Sequence, residues 1–332
     1  MRISPILLVG ALVGCSSPIA APLPSNIANA GALAGLARPD LSQQIYVAEA
    51  GSYDGAALIL EFPIAAKGNV APSTVIIEPG AVGYNKATGV AVGSTGKIFA
   101  ANGGIGGESD ILEYATHASG SDSPIGDLNG SKTDLDGPWG LAVDKPGDVY
   151  VANSWLGEVL YFAAGANGDI APKRKIGGSK TGMTTPVSIA LHDGQIVVAD
   201  TASDRILAFA GSANGNVAPA WTLAGSKTGF GGPVGVAYDS SGELYVTDHV
   251  NNEVLVFAKG AKGNVAPIRT IVGSKTQLNA IHNLALDAQD ELIVLSAGVC
   301  VFAKGAHGNV APIRVIQGLK TDLGVNTGLA VR

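Results

Sequence analysis

The sequence predicts an all-β fold: a six-bladed β-propeller of four-stranded antiparallel blades, its ring closed by pairing the C-terminal strand with N-terminal strands. Three observations predict it. Prolines recur with a period in the forties, each period holds four strand-like apolar runs, and the last run of the chain lacks the neighbour that a run near the N-terminus needs.

The period is set by Pro72, Pro124, Pro172, Pro219, Pro267 and Pro312, which are 52, 48, 47, 48 and 45 residues apart. Repeats of this length with several short apolar runs are blades rather than helical solenoid units. Around the prolines runs a refrain, "GDIAPKRKIGGSKT" from Gly168, "GNVAPAWTLAGSKT" from Gly215, "GNVAPIRTIVGSKT" from Gly263, "GNVAPIRVIQGLKT" from Gly308, and a worn copy, "GSDSPIGDLNGSKT", from Gly120. Its last four residues look like the end of a phosphate loop. Such a loop places Gly directly before Lys, after a strand and before a helix, whereas Ser274 separates Gly273 from Lys275 and nothing helical follows. Five equivalent copies mark architecture, not a nucleotide site.

Each unit holds four runs. The first is "GVAVG" from Gly89, "GLAVD" from Gly140, "SIALH" from Ser188, "GVAYD" from Gly235, "NLALD" from Asn283 and "GLAVR" from Gly328. The second is "IYVAE", "IFAAN", "VYVAN", "IVVAD", "LYVTD" and "LIVLS"; the third resembles "EVLVF" ending at Phe257, and the fourth "IRTIV" at 268–272. Val, Ile, Tyr and Phe in short runs bounded by Gly, Asp and Pro are strand chemistry. "GLAVR" is a first strand with no second strand after it, and "QQIYVAEA" is a second strand without a convincing first, so pairing them leaves no bare edge. "GLA" at 35–37 is a rival first strand.

The composition agrees. With 46% hydrophobic and 14% charged residues, 46 Gly and 17 Pro, the 332-residue chain suits a large core and many turns. A net charge of -6 without a basic stripe argues against nucleic acid as a partner.

The N-terminus reads as a processing signal. Residues 1–14 carry one positive charge, Arg2, and an apolar run too short to span a membrane comfortably. "LVGC" at 12–15 resembles a bacterial lipobox, which implies lipidation at Cys15; an ordinary signal peptide that contains Cys is the alternative. Residues 15–37, small and Pro-containing with no charge, form a flexible tether, and 38–332 form the propeller. Loss of Arg2 leaves 20 basic and 27 acidic residues, a net charge of -7. Ser16 after the Cys points to the outer membrane or cell surface as the destination. Cys300 stands where other repeats place an aliphatic residue and reads as a buried apolar group.

The unit "G-x-P-x-G-[VL]-A-[VY]-D … G-x-[LV]-Y-V-[AT]-[DN] … [VI]-L-x-F" resembles the NHL repeat, over about 290 residues, 40–332. The resemblance implies a fold that hosts scaffolds, sensors, lyases and lactonases alike.

Loop lengths locate a binding face. From the third-strand aromatic to the Pro is ten residues in all six units, but from the polar end of strand two to that aromatic is thirteen, twelve, nine, nine, nine and six. Variation therefore collects on the face where strand one starts and strand two ends. Its long loops, 50–56 and 103–109, lie side by side.

Six oxygen-bearing residues end the second strands there: Glu49, Asn102, Asn153, Asp200, Asp248 and Ser296. Such a ring suits a hard cation such as Ca²⁺, with Glu49, Asn153 and Asp200 as the candidate ligands; the competing role is bonding of turn N–H groups by short polar side chains. The resemblance to calcium-dependent six-bladed lactonases adds to the first reading without a motif match. His249 and His282 are candidate metal ligands or a general base, as in six-bladed lyases that act on cyclic peptide antibiotics. Trp139 and Trp155 are candidates for stacking on a sugar or gripping a peptide. The ligand-binding mouth is thus expected to comprise Glu49, Asn102, Trp139, Asn153, Trp155, Asp200 and Asp248. A G-x-S-x-G elbow and a Cys/His zinc cluster are both absent from the sequence.

These readings support a monomeric, exported, lipid-anchored module at the cell envelope that binds a peptide, glycan or protein. The alternative is a Ca²⁺-type lactonase or lyase using the same mouth.

Overall fold

The computed structural model describes residues 43–50, 56–82, 87–103, 109–324 and 326–332. The signal segment, Cys15, the tether, the "GLA" at 35–37 and most of both long mouth loops lie outside the described residues.

Twenty-four strands form six antiparallel sheets of four. Blade one holds β1 (Gln44–Glu49), β2 (Ala56–Pro63), β3 (Thr74–Val82) and, innermost, β24 (Asn326–Val331). Blade two runs β4 (Gly89–Val92), β5 (Ile98–Asn102), β6 (Asp110–Tyr114), β7 (Gly126–Asn129), and blade three β8 (Pro138–Val143), β9 (Val149–Asn153), β10 (Glu158–Phe162), β11 (Arg174–Ile176). Blade four runs β12 (Pro186–His192), β13 (Gln195–Asp200), β14 (Arg205–Ala210), β15 (Trp221–Leu223), and blade five β16 (Pro233–Tyr238), β17 (Leu244–Asp248), β18 (Glu253–Phe257), β19 (Arg269–Ile271). Blade six is β20 (Leu284–Leu286), β21 (Leu292–Leu295), β22 (Val299–Phe302) and β23 (Arg314–Ile316). The predicted closure is present, with Val47 opposite Leu329 and Tyr46 opposite Ala330.

The core is made between blades, not within them. Side chains alternate across a strand, so Ile45 and Val47 pack toward blade six while Tyr46 and Ala48 pack toward blade two. Six apolar clusters fill the six junctions. This explains why second strands read as continuous apolar runs: both faces are buried. The third-strand aromatics Phe62, Phe162, Phe209, Phe257 and Phe302 are fully buried, each packed toward the preceding blade. Cys300 is buried in the junction of blades five and six, where desolvation pushes its thiol up to about 11.

At the axis, the first strands that open on Gly approach their neighbours so closely that a side chain there would collide with backbone, whereas blades four and six carry Ser188 and Asn283 at the same position. A Cβ on Gly89 would lie 2.0 Å from the Trp139 carbonyl oxygen, and one on Gly140 2.7 Å from that of Val187. The glycines that open the first-strand motif therefore serve close approach of backbones.

The refrain is the outer belt of the ring. In every blade the Gly that opens "GNVAP" or its variant reaches sideways to the outer strand of the preceding blade. The bonds are Gly68 N–H to Val315 O (2.6 Å), Gly120 to Val75 (2.6 Å), Gly168 to Asp127 (2.7 Å), Gly215 to Lys175 (2.6 Å), Gly263 to Thr222 (2.6 Å) and Gly308 to Thr270 (2.7 Å). The next residue adds a side-chain latch onto the preceding blade's "GSKT" turn. Oδ1 of Asp169, Asn216, Asn264, Asn309 and Asn69 accepts the backbone N–H of Lys132, Lys180, Lys227, Lys275 and Lys320, at 2.6–2.7 Å. The turn's Gly is left-handed, φ 109–127°, and a Cβ there would meet that Asn or Asp side chain at 2.5–2.7 Å. Its buried Thr closes the turn through Oγ1, as Thr276 does on Gly273 O (2.7 Å). The Lys of "GSKT" thus contributes its backbone N–H, and the phosphate-loop likeness is coincidental.

One junction departs from this pattern. Between blades one and two the strand after Pro72 leads into "IIEPGAV" rather than "GSKT", and Ser121 replaces the latching Asn; the described bonds of the outer belt there are backbone only, Gly120 N–H to Val75 O and Ile77 N–H to Gly120 O (2.8 Å). The aromatic packed there is Tyr114 in place of Phe, fully buried, with no hydrogen-bond partner for its hydroxyl among the described residues.

Two outcomes follow in urea unfolding. Asn264→Ala should lower stability by about 0.5–1.5 kcal/mol, the net worth of one hydrogen bond, whereas Ser121→Ala should change it by less than about 0.5 kcal/mol; equal costs would refute the latch. Tyr114→Phe should raise stability by about 1 kcal/mol, because it removes a desolvated hydroxyl and retains the ring.

Candidate functional site: the axial mouth

The six second-strand termini do converge on one face, and all six side chains are buried. Each bonds the loop that enters strand one of its own blade. Glu49 Oε2 accepts Gly324 N–H (2.9 Å). Asn102 Oδ1 accepts Ala87 N–H (2.6 Å), and its amide donates to Asp110 Oδ1 (2.8 Å). Asn153 Oδ1 accepts Asp136 N–H (2.8 Å) while Nδ2 donates to Asp134 O (2.9 Å). Asp200 accepts from Thr184 N–H (2.9 Å), Thr185 N–H (2.5 Å) and Ser203 Oγ (2.6 Å). Asp248 takes Gly231 N–H (2.7 Å), Gly232 N–H (3.1 Å) and Asn251 N–H (3.1 Å). Ser296 Oγ accepts Asn279 N–H (3.0 Å) and donates to Asn279 O (2.9 Å). These are loop-fastening bonds. No three His, Cys, Asp or Glu side chains gather in a metal-binding group among the described residues.

Among the described residues, a second set of bonds ties five of the six blades to the next at this face. Thr88 Oγ1 donates to Pro138 O (2.7 Å), Ser154 Oγ to Pro186 O, Thr201 Oγ1 to Pro233 O (2.7 Å), Thr247 Oγ1 to His282 O (2.9 Å) and Thr327 Oγ1 to Ala87 O. His249 follows Asp248 as Ser154 follows Asn153 and Thr201 follows Asp200. Its Nδ1 lies 2.8 Å from Ile281 O, the carbonyl equivalent to those of Pro186 and Pro233. A carbonyl only accepts, so Nδ1 carries a proton, and Nε2 has no hydrogen-bond partner among the described residues.

The structure brings His249 and His282 together, with ring centroids 5.4 Å apart and planes at 50°. Desolvation, with a smaller contribution from His249, pulls His282 down to about 4, so it is neutral at pH 7. Trp139 packs against the cluster of blades four and five. Trp155 lies over its own blade's entry loop, where a Cβ on Gly137 would come within 2.6 Å of its ring. It sits in a single 3₁₀ turn, Ser154–Leu156, whose Leu156 is 50% exposed; Val250, on the corresponding loop of blade five, is 64% exposed. The inter-blade hydroxyl bonds and these two aliphatic tips were missed in the sequence, because the bond partners lie one repeat away.

Residues 230–257, which hold the first three strands of blade five, match the NHL repeat. This chain is a six-bladed β-propeller, one blade of which matches the NHL repeat. Solved structures similar to it include a chain of a nidogen/laminin complex (12% identity, TM-score 0.57, covering 87% of this chain and 98% of that one). The periplasmic gluconolactonase of Pseudomonas aeruginosa is also similar (15%, 0.55, 87% and 98%), as is virginiamycin B lyase from Staphylococcus aureus (13%, 0.51, 80% and 87%). At these identities the likeness is one of fold. No curated protein matches the sequence.

His282 supplies a pH signature. Its folded value near 4 lies below the unfolded 6.5, so the unfolded chain binds the proton first, and stability present above pH 6.5 is lost as pH falls toward 4. Imidazole NMR should find His282 neutral down to about pH 4, and His282→Val should flatten the fall in melting temperature across that window.

Proposed function

We propose that this protein is a binding module, exported and lipid-anchored through Cys15 at the bacterial cell envelope, that recognises a peptide, glycan or protein partner at its axial mouth. One observation carries the reading. The polar side chains that end the second strands are buried and bonded within their own blades, so the surface left accessible on those loops mixes apolar groups, Trp155, Leu156 and Val250, with the exposed Asp204 and Asn251, a combination suited to contact with a partner. A half-buried indole beside exposed aliphatic tips provides rigid contact area at low entropic cost. The fold permits this role, since changes at the tips of the mouth loops leave the outer belt of inter-blade bonds intact.

The second reading, a metal-dependent lactonase or lyase, draws its support from the His249–His282 pair, whose rings lie 5.4 Å apart at the mouth. Similarity to a gluconolactonase and a lyase adds fold-level analogy only.

Tryptophan fluorescence separates the two. Trp221 is held in an outer strand by Gln195 Oε1 (2.9 Å), far along the blade from the mouth, so a mouth ligand should act on Trp139 and Trp155. Titration of the full chain with peptidoglycan fragments, envelope polysaccharide and peptides should give a saturable change that Trp155→Phe abolishes and EDTA leaves intact. Metal-dependent turnover of a lactone, with no such binding, would favour the enzyme.

A further inference from the structure

We propose that His249 and His282 form a two-imidazole site for a borderline divalent transition-metal ion, Zn²⁺ or Cu²⁺, at the junction of blades five and six. The site goes beyond the recognition reading and does not rest on it.

Four features point to it. First, His249 already has the arrangement of a metal-ligating histidine, with one ring nitrogen donating to a backbone carbonyl and the other without a hydrogen-bond partner among the described residues. Second, no hydrogen bond among the described residues involves the His282 ring, which is only partly buried, so its nitrogens are open to solvent and to an arriving ion. The equivalent position in the other blades holds Thr88, Trp139, Val187, Val234 and Thr327, so the fold does not require an imidazole there.

Third, both residues are held before any ion arrives. His249 N–H bonds Gly232 O (2.9 Å), His282 N–H bonds Leu295 O (2.9 Å), and Thr247 Oγ1 holds His282 O. Ring centroids 5.4 Å apart place the two imidazoles where one ion, with metal–nitrogen bonds of about 2.0–2.1 Å, can be shared after side-chain adjustment alone. Fourth, Ala280, two residues before His282, is left-handed (φ 49°) at a position where blades three and five carry Gly137 and Gly232. Backbone held in that region by a residue with a Cβ is a common companion of functional sites.

The ligand type selects the ion. Imidazole nitrogens suit Zn²⁺, Cu²⁺ and Ni²⁺, whereas Ca²⁺ takes oxygen. This differs from the Ca²⁺ site expected at Glu49, Asn153 and Asp200. With two protein ligands, the remaining coordination positions are left to water or to a bound partner's donor groups.

The test is calorimetric titration of the full chain with Zn²⁺, Cu²⁺ and Ca²⁺, together with His249→Thr, His282→Val and the double variant. The substitutions copy blade four, where Thr201 bonds the next blade's carbonyl and Val187 fills the ring position, so the variants retain the fold's own solutions. The expected result is one equivalent of Zn²⁺ or Cu²⁺, weakened at least ~10-fold by either single change and lost in the double, with Ca²⁺ unaffected by them. Should the double variant fail to fold, paramagnetic resonance of Cu²⁺ on the unaltered chain must show two imidazole nitrogens. Absence of saturable Zn²⁺ or Cu²⁺ binding, unchanged binding in the folded double variant, or a Cu²⁺ spectrum lacking two imidazoles would overturn the site. Because fluorescence binding of a partner is read in EDTA, failure here leaves the recognition reading standing, and the reverse also holds.

Discussion

The ring depends on one repeated contact: an Asn or Asp side chain placed over a left-handed Gly and accepting the amide N–H two residues beyond it in the previous blade. A blade in isolation is a small sheet with both faces apolar and its core shared with two neighbours. Closed propellers therefore stand or fall on how blades are aligned with one another. Apolar packing supplies most of the driving force but little direction, whereas the latch is directional and recurs at five of six junctions. It also links distant parts of the chain: Asn69 on Lys320, with β24 on β1, joins the two ends of the propeller.

At the axis the same logic uses different chemistry. Hydroxyls of Thr88, Ser154, Thr201, Thr247 and Thr327 reach the next blade's carbonyl, and the buried polar ends of the second strands fasten each blade's entry loop. An acidic residue at such a mouth is therefore poor evidence of catalysis by itself. Asp200 and Asp248 each accept three hydrogen bonds within their own blade, which occupy most of the roughly four lone-pair sites of each carboxylate. Histidine at position 249 does the hydroxyl's bonding with one nitrogen and retains a second, so a structural position acquires spare chemistry without loss of the tie.

Much of the fold was legible because repetition turns weak local signals into strong ones. Period, strand count and ring closure followed from aligned prolines, aromatics and apolar runs. The constant ten residues between aromatic and Pro belong to an arm whose contacts lie in the preceding blade, which the spacing alone does not reveal. Its length is constant because two neighbours fix it. The polar ring was legible as a ring, while its employment was not, since an Asp that bonds N–H groups and an Asp that binds Ca²⁺ occupy the same place in a sequence. Pairing of His249 with His282 required knowing which blades adjoin, and that much the repeat order supplied. The tautomer and the desolvation of His282 required coordinates.

The irregular junction between blades one and two gathers several departures. The Asn latch is absent, the buried aromatic is a Tyr with an unsatisfied hydroxyl, and the two longest second-to-third-strand loops of the sequence flank it. A ring of identical blades would have no reason to concentrate these in one place. Each departure weakens side-chain fastening where backbone bonds from Gly120 to Val75 and Ile77 still hold the blades together. Closure makes this tolerable, because a junction within a covalently continuous ring stays aligned by its neighbours even when its own latch is missing. Blades one and two can therefore carry long, divergent loops, while the regular junctions of blades three to six keep the geometry on which the mouth and its histidine pair rely.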